Sequence, residues 1–476
     1  MSLRDTRYFF RYLTKKCFCT KMLNICERML SLQRNNRLFY RMKRILFSWL
    51  LCAVSLGIAA QESENKEIIK KGWNFGPLPV VGWDSDLGFQ YGVCLDIFNF
   101  GDGTNYPSYD YKVNFEASTF TGGSSLLRCY GDFKTLIPDG KLFLDCTYFS
   151  AKKFDFYGYN GYASPYFVDG IGLAEGETSA LNMMSRNQFR LVASMQKRIS
   201  GNLYWAAGFG YYNIQTGQVK LDEYKNQTTL YDLYRQTGLI REDEASGGNV
   251  LQLKAGLVYD TRDHDSDPTR GVNIEATLVG APDIIDNEGY SNLGFTFVGS
   301  HYVPVWKDRL TFAYRLGVQA NIAGEIPYYF INNLNTLFFR KVYTEGLGGN
   351  ASVRGINRNG VVGNGMAWLN TEFRWRFANF RFINQNFYLA LNPFFDMGQV
   401  IQSYRLDEQK AAAKAYSDNT INPFYSGDNE KLHATLGCGL KVVMNRNFVI
   451  SVEMAKALDK RDGEKMWNNI GFNYLF

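Results

Sequence analysis

From Trp73 to the last residue, apolar and polar side chains alternate over segments of about ten residues separated by turn residues. Met366 to Phe377 shows this most plainly. One face carries Ala367, Leu369, Thr371, Phe373, Trp375 and Phe377, and the other Trp368, Asn370, Glu372, Arg374 and Arg376. Strict period two makes this a strand whose faces differ in kind. In a soluble sandwich the apolar face would meet a core; in a membrane barrel it meets lipid and the charged face lines a wet lumen.

Counting back from the C-terminus, strands are expected at Trp467 to Phe476, Phe448 to Leu458, Ala434 to Val443, Phe387 to Val400, Met366 to Phe377, Leu310 to Ile322 and Gly289 to Val303. Upstream come the hairpin Val250 to Val279, turning at His264 to Arg270, then Leu203 to Ile214, Gln188 to Lys197, Leu142 to Phe156, Leu126 to Ile137, Asp110 to Phe120 and Leu87 to Phe98. Short turns alternate with long polar connections at 157–186, 215–248 and 403–432, as periplasmic turns and outside loops do. Fifteen strands leave the two ends on opposite sides. Trp73 to Trp83 supplies the sixteenth, although Pro77 and Pro79 cannot donate to a ladder. The expected fold is an all-β, antiparallel transmembrane barrel of sixteen strands over residues 73–476, with its weakest seam between first and last strands.

A helical membrane protein needs apolar runs of about 20 residues, and Ile45 to Ile58 falls short. With Met42-Lys43-Arg44 before it and Ile58-Ala59-Ala60 after it, residues 42–60 read as a signal peptide, and bulky Leu50-Leu51 argue against a lipoprotein anchor at Cys52. Residues 1–41 then read as upstream sequence from a misassigned start, and 61–72 as a short periplasmic lead. The first 60 residues hold 12 of the 52 Lys and Arg and 2 of the 46 acids, so residues 61–476 carry a net charge of −4. Nothing there argues for nucleic acid. Cys94, Cys129, Cys146 and Cys438 are widely spaced in strand-like runs, a poor pattern for a metal site, and their disulfide state stays open.

A sixteen-strand barrel encloses a lumen wide enough for water unless something fills it. The glycine-rich stretch Gly346 to Gly365 is the candidate filler, an outside loop able to fold inward and carrying Arg354. On the next strand but one, Asp396 shares parity with Asn392 and Phe394, which turns it to the lumen beside Glu372. Arg354 is therefore expected inside the barrel, paired with Asp396, with Glu372 as a second partner.

At these residues the chain resembles the bacterial surface-antigen superfamily of outer-membrane barrels, which includes the BamA/TamA assembly factors and the two-partner secretion translocators. Val353-Arg354-Gly355 matches that family's inserted-loop motif, and Phe394-x-Asp396-x-Gly398 its partner strand. Tyr259 to Asp263 with Pro268 to Gly271 is similar to its mid-barrel turn. The resemblance implies that terminal Phe472, Tyr474 and Phe476, expected to face outward, form an assembly signal. Ile356 departs from the family's aromatic. Family insertases carry POTRA domains before the barrel, and the lead 61–72 has no room for one.

The resemblance implies a barrel that aids insertion or passage of proteins or lipids across the bacterial outer membrane. Its partners would be membrane lipids, periplasmic or outer-membrane assembly partners and client proteins. The alternative is a passive channel or surface-exposed structural barrel. An outer-membrane lipase would need a nucleophile beside a base; His301 and His433 fall on strands, and His264 reads as part of a solvated polar turn. No enzyme activity and no cofactor are expected.

Overall fold

The computed structural model describes residues 68–165, 180–224, 227–285, 289–335, 346–382, 385–416, 422–463, 465–472 and 474–476. The leader segments 1–41 and 42–60 lie outside the described residues. Sixteen strands run in chain order: β1 (Trp73–Asp84), β2 (Gly88–Asn99), β3 (Tyr111–Phe120), β4 (Ser124–Phe133), β5 (Gly140–Asp155), β6 (Met183–Ser200), β7 (Leu203–Gly217) and β8 (Gly247–Asp260). They continue as β9 (Gly271–Ala281), β10 (Asn292–Trp306), β11 (Leu310–Gly324), β12 (Gly365–Phe382), β13 (Gln385–Gln402), β14 (His433–Met444), β15 (Phe448–Ala457) and β16 (Trp467–Phe472). Each pairs antiparallel with its chain neighbours, and β1 with β16 closes the barrel.

Alternation decides what each strand shows to lipid. Along β12, Trp368, Asn370, Glu372 and Arg374 are buried in the lumen while Phe373 is exposed on the outer wall. Strand ends fall close to the alternation limits, with small differences where the ladder tolerates them: β10 runs through Pro304, where the register slips against β11.

The last strand differs from expectation. β16 stops at Phe472, and Tyr474 and Phe476, expected on the outer wall, are buried inside. The Tyr474 hydroxyl lies 3.0 Å from that of Tyr388, and Phe476 packs with Tyr302 and Ala313 while its backbone carboxylate oxygen accepts from Arg374 Nη2. The cause lies across the seam. Among the described residues β1 and β16 pair at Trp83–Ile470 and Asp84–Asn469, whereas β1 pairs with β2 from Trp73 to Asp84. Carried on in that register, Tyr474 would stand opposite Pro79 and Phe476 opposite Pro77. The prolines share parity and the ladder to β2 is unbroken, so their missing N–H groups fall on the seam edge. A strand continued there would find no donors, and its aromatic end turns to the lumen arginine instead.

Both mouths of the lumen are filled. On the side of the long connections, Phe156, Tyr159, Tyr234, Tyr328, Tyr404 and Phe424 belong to one buried cluster. Arg405 ties it together, bonding Glu244 of the β7–β8 connection and, at 2.7 Å, Glu325 after β11. At the opposite mouth the β8–β9 turn, residues 261–270, folds under the barrel: Asp267 accepts from Arg376 at 2.8 Å and Arg446 at 3.3 Å, and Asp265 pairs with Lys134 at 2.6 Å.

His264 is therefore not in a solvated turn but buried, its Nδ1 accepting the backbone N–H of Asp267 at 3.1 Å. Burial, reinforced by the Arg446 guanidinium, pushes it down from 6.5 to about 4. The unfolded histidine takes up its proton first, so the turn is fully stable above about pH 6.5 and loses stability as pH falls towards 4. Asp265 stays ionised through that window, since Lys134, Lys141 and Arg262 outweigh its burial and hold it well below the usual carboxylate range. Hydrogen exchange in 261–270, corrected for intrinsic rates, should rise between pH 7 and pH 5. In His264→Asn that rise should vanish; its persistence would assign it to another group.

Candidate functional site

The stretch after Gly346 lies inside the barrel because its residues suit an interior. Leu347, Val353, Ile356 and Val361 form a buried cluster with Met366, Trp368 and Val400, so an aliphatic Ile356 packs where the family carries an aromatic. Two glycines make the approach close enough. Gly355 holds φ at 102°, and a Cβ there would stand 2.9 Å from that of Ala455; a Cβ on Gly398 would stand 3.0 Å from Val353 Cγ2.

These contacts place Arg354 against three strands. Its Nε is 2.7 Å from Asp396 Oδ2 and its Nη2 3.0 Å from Asp396 Oδ1, the parallel two-point geometry that suits a guanidinium and a carboxylate. Its backbone N–H donates to the same Oδ2 at 3.1 Å. Nη1 reaches Glu372 Oε2 on β12 and Glu453 Oε1 on β15, each at 3.0 Å. Phe394 lies beneath, its ring centre 3.5 Å from the guanidinium carbon, in cation–π range. Arg354, Asp396 and Glu372 are all shielded from solvent.

Val353, Arg354, Gly355, Phe394, Asp396, Gly398 and Glu372 thus share one site. Glu453 and Lys441 were not foreseen. Lys441 Nζ lies 2.7 Å from Glu453 Oε1, and Arg374 Nε 2.6 Å from Glu372 Oε1, so Arg354, Arg374 and Lys441 balance Asp396, Glu372 and Glu453. Both unforeseen residues lie on the lumen parity of their strands, but parity alone does not single them out from other lumen-facing residues. No group of three or more His, Cys, Asp and Glu among the described residues could hold a metal ion. The site is an anchor: its chemistry is to hold a loop within the wall.

A closed antiparallel barrel with an arginine-bearing outside loop bonded to a strand aspartate defines a class of outer-membrane barrel. Residues 148–474 match the Omp85 superfamily domain, and the chain belongs to that family of bacterial outer-membrane proteins. Among solved structures, BamA from Haemophilus ducreyi lacking POTRA domains 1-3 is 16% identical, with 85% of this chain and 70% of that one covered at a TM-score of 0.49. CdiB from Escherichia coli is 11% identical, with 85% and 63% covered and a TM-score of 0.49. A search of curated proteins gave no match.

Removing one member of a buried, compensated pair strands the other charge at a cost of about 3–5 kcal/mol. Arg354→Ala and Asp396→Ala should each lower unfolding stability in bilayers by that order, and the double variant by clearly less than their sum. Additive losses would mean that the two side chains act independently.

Proposed function

We propose that this barrel aids the insertion or passage of proteins or lipids at the outer membrane, working at its first-to-last seam rather than through its lumen. The observation that carries this reading is the seam itself: two paired positions among the described residues, with Pro77 and Pro79 facing the edge beyond the end of β16. The backbone carbonyls of this edge and the N–H groups of Phe75 and Val81 face hydrocarbon, where unpaired polar groups cost several kcal/mol each, so an incoming strand or lipid headgroup gains by binding here. Outer-membrane lipids, client proteins and periplasmic or outer-membrane assembly partners are the expected company of such an edge.

The alternative, a passive channel or structural barrel, draws no support from the lumen, which is filled midway by the loop and at both mouths by packed side chains. In liposomes the purified barrel should show little steady ion conductance yet speed the folding of an added client barrel. A disulfide between Trp83→Cys and Ile470→Cys should abolish the second activity and reduction restore it. Full client folding with the seam locked would exclude a route there; a large steady conductance would favour the channel.

The terminal aromatics Phe472, Tyr474 and Phe476 keep a second assignment, recognition of the unfolded chain before its barrel forms. Deleting Phe476 removes that signal, its packing on Tyr302 and its oxygen on Arg374, whereas Tyr302→Ala removes the packing and spares that bond. Folded yield in the outer membrane should fall for the deletion and hold for Tyr302→Ala. Equal losses would reduce Phe476 to a packing role.

A further inference from the structure

Four residues beyond Arg354 the same loop carries a second buried arginine. Arg358 Nη2 lies 2.9 Å from Asp84 Oδ2, and the Arg358 backbone N–H donates to Asp86 Oδ2 at 3.0 Å. Asp84 ends β1 and is one of the two positions where β1 meets β16, opposite Asn469. The Asn469 side chain in turn accepts from Asn350 Nδ2 at 3.3 Å, and Glu453 on β15 accepts from Arg354. One short segment, residues 350–358, is therefore bonded to both sides of the seam from within the lumen.

Asp84 also shapes the turn it opens. Its Oδ1 accepts the N–H groups of Asp86 at 2.9 Å and Leu87 at 3.2 Å, which folds Asp86 back towards the arginine. Burial raises the Asp86 carboxyl well above its ordinary value, and the charges of Asp84 and Asp155 push it the same way; Arg358 works against them. Without the guanidinium those effects on Asp86 go unopposed, and Asp84 at the end of β1 loses its charged partner on the loop.

We infer that Arg358 is a latch: it fastens the outer end of β1 to the inward loop, so that the seam stays closed while the loop is docked and is released when the loop withdraws. Arg354 and Arg358 sit on one continuous segment, so loss of the Asp396 bond draws Arg358 away from Asp84. The lumen site and the edge of the barrel are coupled through three intervening residues. This inference rests on the seam reading above and gives that seam a control. Arg358 acts through β1 and is a positioning residue.

The test is the rate of disulfide formation between Trp83→Cys and Ile470→Cys in folded barrels in bilayers, with Cys94, Cys129, Cys146 and Cys438 changed to Ser. Arg358→Gln should slow crosslinking several-fold while the barrel keeps its heat-modifiable folded form, and Arg358→Lys should restore most of the rate. An unchanged rate in folded Arg358→Gln would overturn the latch. If that variant yields no folded barrel, Asp84→Asn decides, since it keeps an oxygen for the turn's N–H groups and removes the charge that Arg358 bonds: a slower rate supports the latch and an unchanged rate overturns it. A slowed crosslink with unaltered client folding would sink the seam reading and leave the latch standing.

Discussion

A guanidinium with no access to solvent is the constraint around which this barrel is arranged. Taking Arg354 out of water costs several kcal/mol unless its donors are met and its charge balanced, and Asp396, Glu372 and Glu453 do both from three different strands. Each carboxylate must face inward, which fixes the face that its strand turns to lipid; a register slip of one residue would send all of them into the membrane. The same interaction holds a glycine-rich loop with little core of its own inside a lumen otherwise wide enough for water. Wall and plug depend on each other through this residue, with the packing of Leu347, Val353, Ile356 and Val361 and the Arg358–Asp84 pair beside it.

The barrel was legible in the sequence because lipid and water sort side chains on alternate positions, as Phe373 and Arg374 show on β12. The Arg354–Asp396 pair was legible for two independent reasons: the loop had to seek a lumen anion, and the parity of Phe387 to Val400 turned Asp396 inward. Glu453 was not singled out because a lumen-facing acid reads alike whether it meets an arginine or water. The C-terminus misled for a physical reason. Alternation in Trp467 to Phe476 records which residues are aromatic, not where pairing stops, and pairing stops because of prolines nearly 400 residues away in sequence. His264 misled likewise: a turn rich in Asp, Ser and Pro looks solvated until Arg376, Arg446 and Lys134 arrive from other strands to bury it.

The result is a molecule strong at its centre and weak along one line. Among the described residues, loop packing and the ion cluster fill the middle of the lumen and the folded-in β8–β9 turn one mouth, while the closed wall is thinnest between β1 and β16. A filled lumen and a thin seam are the two observations on which the proposed route at the edge of the sheet rests.

The central claim is most directly tested by hydrogen exchange of the unaltered barrel in lipid nanodiscs, resolved by strand. The amides of Phe75 and Val81, which share the prolines' parity and face the seam, should exchange far faster than those of β12 and β13, and the amide of Arg354, bonded to Asp396, should be among the slowest of any outside the strands. Uniform protection around the whole barrel, or rapid exchange at Arg354, would contradict it.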